Sequence, residues 1–435
     1  MKTLIGNRGG ILMRRVLISA LLACLFLTVL IVPAAVAQEK IKLTLASMKT
    51  FGIDTMPLLI RRFEKLHPNI EVEFVEMPSP NYSTEIHQYL VTTLAGETGD
   101  IDVFTIDCIW FPEFGEAGWL LNMDPYIAAQ EKANYFKGAI ETVSYKGHQV
   151  GMPWYIDAGM LYYRKDLLDK YGFKPPKTWD ELIHQAQVIL KGEKNPNLHG
   201  FIWQGRQAEV LVCDLVEFLG SDGAVLDDKG NVVINNEAGL RAAQLMYDLI
   251  YKYKITPESV NTYDEEPSRQ VFTSGNAIFL RNWSYVWNIA QDPKESKVVG
   301  KVGIAPIPAF KGSKSASCLG GYQFAVNKYS EHPKEAAELA KFLSSPESQL
   351  YFAQKISFAP TRPAVYDNAK LAKQNPFLVS LKDVFVYATP RPIHPRYPEI
   401  SLILQSEFSK LLTNKQTPKQ TVDAAAAKIK ALLKK

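Results

Sequence analysis

The sequence is poor in cysteine, in histidine clusters and in net charge, and each shortage removes a class of protein. Four cysteines occur in 435 residues, and beyond the N-terminal segment these are Cys108, Cys213 and Cys318. They lie far apart and are odd in number, so neither a disulfide framework nor a zinc spacing is present. One incidental bridge stays open beside the simpler expectation of three buried free thiols. The seven histidines are scattered, with no two at metal-ligand spacing. There is no G-x-S-x-G, no H-E-x-x-H, no Walker A and no dinucleotide fingerprint. Internal repeats, coiled-coil heptads and Gly/Ser tethers are also missing. Neither a cofactor nor a metal is expected.

Charge is balanced once the N-terminus is set apart. The chain has 49 Lys and Arg against 45 Asp and Glu, and Lys2, Arg8, Arg14 and Arg15 stand before position 38, where no acidic residue occurs. That leaves 45 of each sign, which points to neither nucleic acid nor an anionic membrane surface as partner. Those four cations precede an apolar run, Val16 to Val32, and the small-residue exit Ala35-Val36-Ala37. This is the order of an export signal over 1–37, with Gln38 as the first mature residue and the periplasm or cell surface as destination. An uncleaved anchor is the alternative, because the apolar run sits at the short edge of a span. A lipid on Cys24 is a weaker one, because Leu25-Phe26-Leu27 continues the apolar stretch past it.

What is abundant is α/β patterning and aromatic residues. Ile41–Leu45, Ile70–Val75 and Asp102–Ile106 read as strands, with helices from Asp54 to Leu66 and from Thr84 to Leu94 between them. Strand, helix, strand, helix, strand implies a parallel sheet with right-handed crossovers, whose ligands collect at the carboxyl ends of strands. A second region from Gly151 carries a capping box at Thr178, helices from Glu237 and Glu265, a strand at Ala277–Leu280 and an edge strand running into Pro306 and Pro308. Pro333 opens another helix, and Thr417 caps the last. The length is too great for one typical core, so two lobes are expected.

With 20 Tyr, 21 Phe and 7 Trp, the chain has rings enough for stacking surfaces, and several stand beside polar groups. Asp107 and Trp110 follow a strand; Trp154, Tyr155 and Asp157 share one extended stretch; Trp283 and Trp287 follow another strand at i, i+4. Gly320-Gly321-Tyr322 lets backbone come close beside a ring, and Arg391 lies in a loop with Pro390, Pro392 and Pro395. A pyranose presents an apolar C–H face to a ring and a rim of hydroxyls to carboxylates and guanidinium groups, which is why such residues would assemble. Each also has a structural reading: a core stripe for the two tryptophans, a turn or cap for Asp107, an ordinary salt bridge for Arg391. A secreted glycosidase is the alternative, since it needs only two carboxylates and Asp107 and Asp157 could serve.

These clusters, in this order, resemble the family 1 extracellular solute-binding proteins of ABC importers, and most of all their trehalose/maltose-binding branch. Asp102 to Trp110 with Gly118-Trp119-Leu120, Tyr155 to Arg164, Arg281 to Trp287 and Pro390 to Ile400 carry the resemblance. It implies a periplasmic-binding-protein type II-like fold: two α/β lobes joined by hinge crossings, with a ligand cleft between them. The lobes would be 38–150 with 320–356, and 151–319 with 357–435, crossed near Gly151, Leu319 and Ser357. It also implies a sugar site of Asp107, Tyr155, Asp157, Trp283, Trp287, Gly321, Tyr322 and Arg391, with Trp283 as stacking platform. The protein would be a monomer, not an enzyme, that delivers an α-linked disaccharide to a membrane permease. A sugar-sensing subunit is the other role open to the fold. Sugar-binding relatives often have Trp where Tyr322 stands, and a carboxylate in the first loop, where Asp54 is available here.

Overall fold

Three four-stranded sheets set the frame, and at two places the chain passes between them through a single glycine. A computed structural model describes residues 40–49, 55–79 and 82–434; the 1–37 segment with Cys24, and Asp54, lie outside the described residues. Lys42–Lys435 folds as one unit. Among the described residues, no helix is long and apolar enough to cross a membrane.

The first sheet is built from β1 (Ile41–Met48), β2 (Ile70–Met77) and β3 (Val103–Asp107), joined by α1 (Met56–Leu66) and α2 (Ser83–Leu94). β1 pairs parallel with β3, as alternating strand and helix demand. β3 is buried along its whole length, Thr105 and Asp107 included, as in a strand covered on both faces. A short helix, α3 (Phe111–Glu116), follows it.

The second sheet takes β5 (Met160–Arg164), β6 (His199–Ile202), β7 (Ala277–Asn282) and β8 (Val302–Ala305), in the order β8-β5-β7-β6. β8 is an edge strand, which suits the prolines that follow it. Helices α4 (Trp179–Glu193), α5 (Glu209–Leu219), α6 (Glu237–Tyr251) and α7 (Glu265–Thr273) accompany it. α4 begins with the expected box, Thr178 accepting from the Glu181 amide and Glu181 reaching back. α5 departs from the usual amphipathic pattern: every residue from Val210 to Leu219 is buried, Asp214 and Glu217 included.

The third sheet links the other two. Its order is β11-β4-β9-β12, from β4 (Tyr155–Ala158), β9 (Ser317–Gly320), β11 (Ala359–Pro360) and β12 (Ala388–Thr389). β4 runs through Gly159 into β5 of the second sheet. β9 runs through Gly321 into β10 (Tyr322–Val326), which pairs antiparallel with β3 and makes the first sheet four-stranded. Gly321 has φ +114°, and a β-carbon there would stand 2.3 Å from the Tyr155 carbonyl oxygen. Only glycine meets both demands. At Gly159 a β-carbon would fall 1.8 Å from Glu217 Oε1, so this crossing too has no room for a side chain. The chain closes with α8 (Pro333–Leu343), α9 (Pro346–Ile356), α10 (Tyr397–Leu412) and α11 (Pro418–Leu433), the last under its expected capping box at Thr417. α10 and α11 bring Leu404, Phe408, Val422 and Ile429 to the core beneath the second sheet.

Candidate functional site

A cleft of about 610 Å³ opens where the three sheets meet, and seven of the eight residues singled out from the sequence line it: Asp107, Tyr155, Asp157, Trp283, Gly321, Tyr322 and Arg391. Trp287 does not. Its ring stacks on Phe377 at 4.8 Å and 4°. The i, i+4 spacing misleads here because the helical segment starts only at Val286. Trp283 therefore belongs to the turn after β7 and not to a helix face shared with Trp287.

Each side chain is aimed by the element that carries it. Asp107 is the last residue of β3, and its carboxylate takes the Ile109 amide at 3.2 Å, the turn-cap role foreseen for it. The same carboxylate receives both terminal nitrogens of Arg391, at 3.0 Å and 2.5 Å. Arg391 is 2% exposed, and its Nη1 also donates to Glu209 at 2.8 Å. This is the fork geometry that suits a guanidinium to carboxylates. Glu209, the first residue of α5, is held in turn by the hydroxyls of Tyr397 and Ser401.

On the other wall, β4 presents Tyr155 and Asp157 to the same side, as alternation in a strand requires. Tyr155 lies flat on Phe358 at 3.8 Å. Asp157 accepts from the Ala158 amide at 2.9 Å, the Ser284 amide at 3.2 Å and the Ser284 hydroxyl at 3.0 Å. Burial outweighs these bonds and raises its carboxyl to about 7. Trp283 is half-buried, with the Arg281 guanidinium 4.1 Å from its ring centroid and the Gly320 backbone against its edge. A β-carbon on Gly320 would meet the ring at 3.0 Å. Tyr322 turns its ring edge-on to Trp110 at 6.0 Å.

Two acidic residues complete the cleft that the sequence did not single out, Glu209 and Glu265. Each opens a helix, so each reads in sequence as an ordinary acidic first turn favoured by the macrodipole. For Glu209 the signal is position, since its helix follows the segment leading away from the end of β6; Glu265 follows a helical turn and carries no such mark. Glu265 is 5% exposed. Its Oε1 accepts the Trp283 indole N–H at 3.4 Å, while Oε2 is buried with no partner in the protein. Burial, with the neighbouring Asp264 charge, raises its carboxyl to about 7. Arg391 Nε is likewise buried and unpartnered.

Beneath Trp283 lies a second buried arginine cluster. Arg281 binds Asp214 at 2.9 Å and Glu217 at 2.6 Å, and donates to Gln204 at 3.2 Å. Its guanidinium carries the indole from below. Cys213, Val216 and Cys318 back the same ring; Cys108, Cys213 and Cys318 are all free thiols, the last two buried as expected and Cys108 only partly buried. Among the described residues, no group of His, Cys, Asp and Glu is placed to hold a metal ion.

Comparison with known proteins agrees with this architecture. Residues 52–350 match the model of the family described as bacterial extracellular solute-binding protein. A probable ABC transporter-binding protein of Deinococcus radiodurans is 38% identical over 348 residues, 78% of this chain and 82% of the relative. Maltose-bound MalE3 of T. maritima superposes with a TM-score of 0.84 at 41% identity, over 90% of this chain and 100% of that one. A solute-binding protein of Thermotoga lettingae bound with α-D-tagatose reaches 0.79 at 27% identity, over 91% and 100%. The fold is the periplasmic-binding-protein type II-like fold of two α/β lobes with a cleft between. This chain belongs to the bacterial extracellular solute-binding protein family.

Proposed function

We propose that the cleft binds a small neutral sugar by closure of the two lobes, and that the protein hands this sugar to the permease of an ABC importer. One observation carries the reading: an unpartnered acceptor, Glu265 Oε2, and an unpartnered donor, Arg391 Nε, are buried in residues that line one cleft beside a half-buried indole. A hydroxyl donates and accepts at once. A carboxylate ligand has nothing to give Glu265, and an ammonium ligand has nothing to accept from Arg391. A polyol ring answers both and lays its C–H face on Trp283. The site is then Asp107, Tyr155, Asp157, Trp283, Gly321, Tyr322 and Arg391, with Glu209 and Glu265 added.

The lobes are 38–150 with 320–356 and 151–319 with 357–435, and Gly321 is one pivot between them. Ligand touching both sides favours the closed state by the difference in its affinity for closed and open forms. Family membership supports delivery to a permease from outside the cell membrane. The maltose in MalE3 supports an α-linked disaccharide. Titration calorimetry against trehalose, maltose, sucrose and maltotriose is the test: micromolar or tighter binding of at least one is expected, and no heat from any of them would sink the reading. Conversion of a bound disaccharide to monosaccharides would show an enzyme instead.

A further inference from the structure

Two cysteines from distant parts of the sequence meet behind the Trp283 ring. Cys213 lies one turn along α5 from Glu209, Cys318 is the second residue of β9, and α5 packs on that strand. Both side chains belong to one small buried cluster with Val216, against which Trp283 packs. We propose that Cys213 and Cys318 are a dithiol–disulfide couple, reached through the cleft by a small disulfide oxidant, whose bond locks the wall that carries Trp283. The inference goes beyond the sugar reading and stands whether or not a sugar binds.

The neighbourhood suits a bond between these two sulfurs. Their thiols are hydrogen-bonded to each other. The Cys318 thiol also donates to the Leu319 carbonyl at 3.7 Å, a weak bond, since a thiol is a weak donor. The backbone on either side is already clamped: the Cys318 amide donates to Glu217 Oε1 at 3.0 Å, one turn further along α5 from Cys213. The third thiol is engaged elsewhere, with Cys108 Sγ accepting from Arg391 Nη2 at 3.6 Å.

Access sets the order of events. Cys213 lines the cleft beside Glu209 and Trp283, whereas Cys318 is fully buried. Cys213 Sγ, as its thiolate, therefore attacks one sulfur of the oxidant and expels the first thiol. Cys318 Sγ then attacks Cys213 Sγ and expels the second. The protein pair is oxidised, the oxidant's S–S bond is reduced, and both protons leave with the released thiols. The hydrogen bond to Cys318, and then burial, push the Cys213 thiol up, so the first step is slow. The family is extracellular, and outside the cell membrane thiols meet disulfide oxidants. Once closed, the bond ties α5, which supplies Glu209, to β9, which runs through Gly321 into the first sheet.

The test uses the full chain, reduced, freed of reductant and incubated without denaturant in oxidised glutathione. It is then quenched in acid, alkylated and mapped by mass spectrometry. One disulfide joining Cys213 to Cys318 is expected, with Cys108 alkylated and the bond reversed by dithiothreitol. Because the bond closes a long loop, the oxidised form is expected to melt about 5 °C above the reduced one. Cys213→Ala and Cys318→Ala are each expected to abolish both the bond and the shift, and Cys108→Ala to keep both. Two thiols that remain alkylated after prolonged incubation overturn the couple. So does a glutathione adduct on Cys213 that never resolves, a bond to Cys108 or Cys24 instead, or a bond that forms only in urea. The mapping of the unsubstituted chain decides the question by itself, even where an alanine variant fails to fold.

Discussion

Arg281 and Arg391 are the same device used in two places. Each guanidinium is 2% exposed or less, and each holds two carboxylates: Asp214 and Glu217 for Arg281, Asp107 and Glu209 for Arg391. One helix, α5, supplies three of the four. The difference lies in the span. Asp214, Glu217 and Arg281 come from one helix and one strand of the same proposed lobe, so nothing in the proposed lobe movement separates them. Asp107 closes β3 and Glu209 opens α5, and the proposed lobes put these on opposite sides of the cleft. A buried ion cluster inside one layer supports a platform, here Trp283. The same cluster across a cleft acts as a clasp that a ligand must share or replace.

That distinction gives the largest expected effect. Removing Arg281 as Arg281→Met strands two carboxylates where no motion exposes them, and breaking such a buried pair costs about 3–5 kcal/mol. Urea unfolding is expected to show a loss of that size. Arg391→Met strands Asp107 and Glu209 as well, but opening the lobes returns both to water. Its loss in the same assay is expected to stay below about 1 kcal/mol, the order of a solvated pair. For sugar affinity the order reverses: Arg391→Met is expected to weaken binding by about 100-fold, since hydrogen bonds to a charged group contribute about 1.5–3 kcal/mol. Equal destabilisation by the two substitutions would break the comparison.

The comparison also explains what could be read before the structure. β1 to β3, the capping boxes at Thr178 and Thr417, and the edge strand before Pro306 were legible because they rest on local periodicity and end chemistry. Asp107, Tyr155, Asp157 and Arg391 were legible as polar groups beside aromatics. That Arg391 reaches Asp107, 284 positions away, follows from no local pattern. Glu209 and Glu265 stayed hidden for the opposite reason: each satisfies a helix-start rule so well that nothing marks a second role. The charges of Asp214 and Glu217 inside an apolar run are a signal of a different kind, because buried carboxylates require a counter-ion. Trp287 shows the limit of spacing, which has meaning only once both residues are in one helix.

Glu265 sharpens the comparison from the side of a carboxylate with no arginine of its own. Glu265→Gln keeps the shape and an acceptor oxygen but trades a charged acceptor for a neutral one, about 1 kcal/mol weaker. Sugar affinity is expected to fall about fivefold by calorimetry at pH 8, a smaller loss than that of Arg391→Met. Full retention of affinity would remove Glu265 from the site.

The last prediction concerns the pH dependence of the unliganded protein. Burial holds the carboxyls of Asp157 and Glu265 at about 7, against about 4 in an unfolded chain. Between these values the native state keeps protons that the unfolded state has lost, so stability falls as pH rises. The contribution is complete below about pH 4, is lost through pH 7 and is flat above it. Glu407 behaves in the opposite sense: although burial pushes it up, Lys410, Lys428 and Gln416 hold it at about 2. Its contribution is lost only as pH falls toward 2, outside the window. Urea midpoints measured from pH 5 to pH 8 are therefore expected to decline, and to decline less steeply in Glu265→Gln, which has no proton to lose at that position. A decline of equal slope in wild type and variant would mean that Glu265 is ionised throughout. In that case Arg281, which faces it from beneath Trp283, would be serving as its counter-ion, and the two arginine clusters would no longer be separate devices.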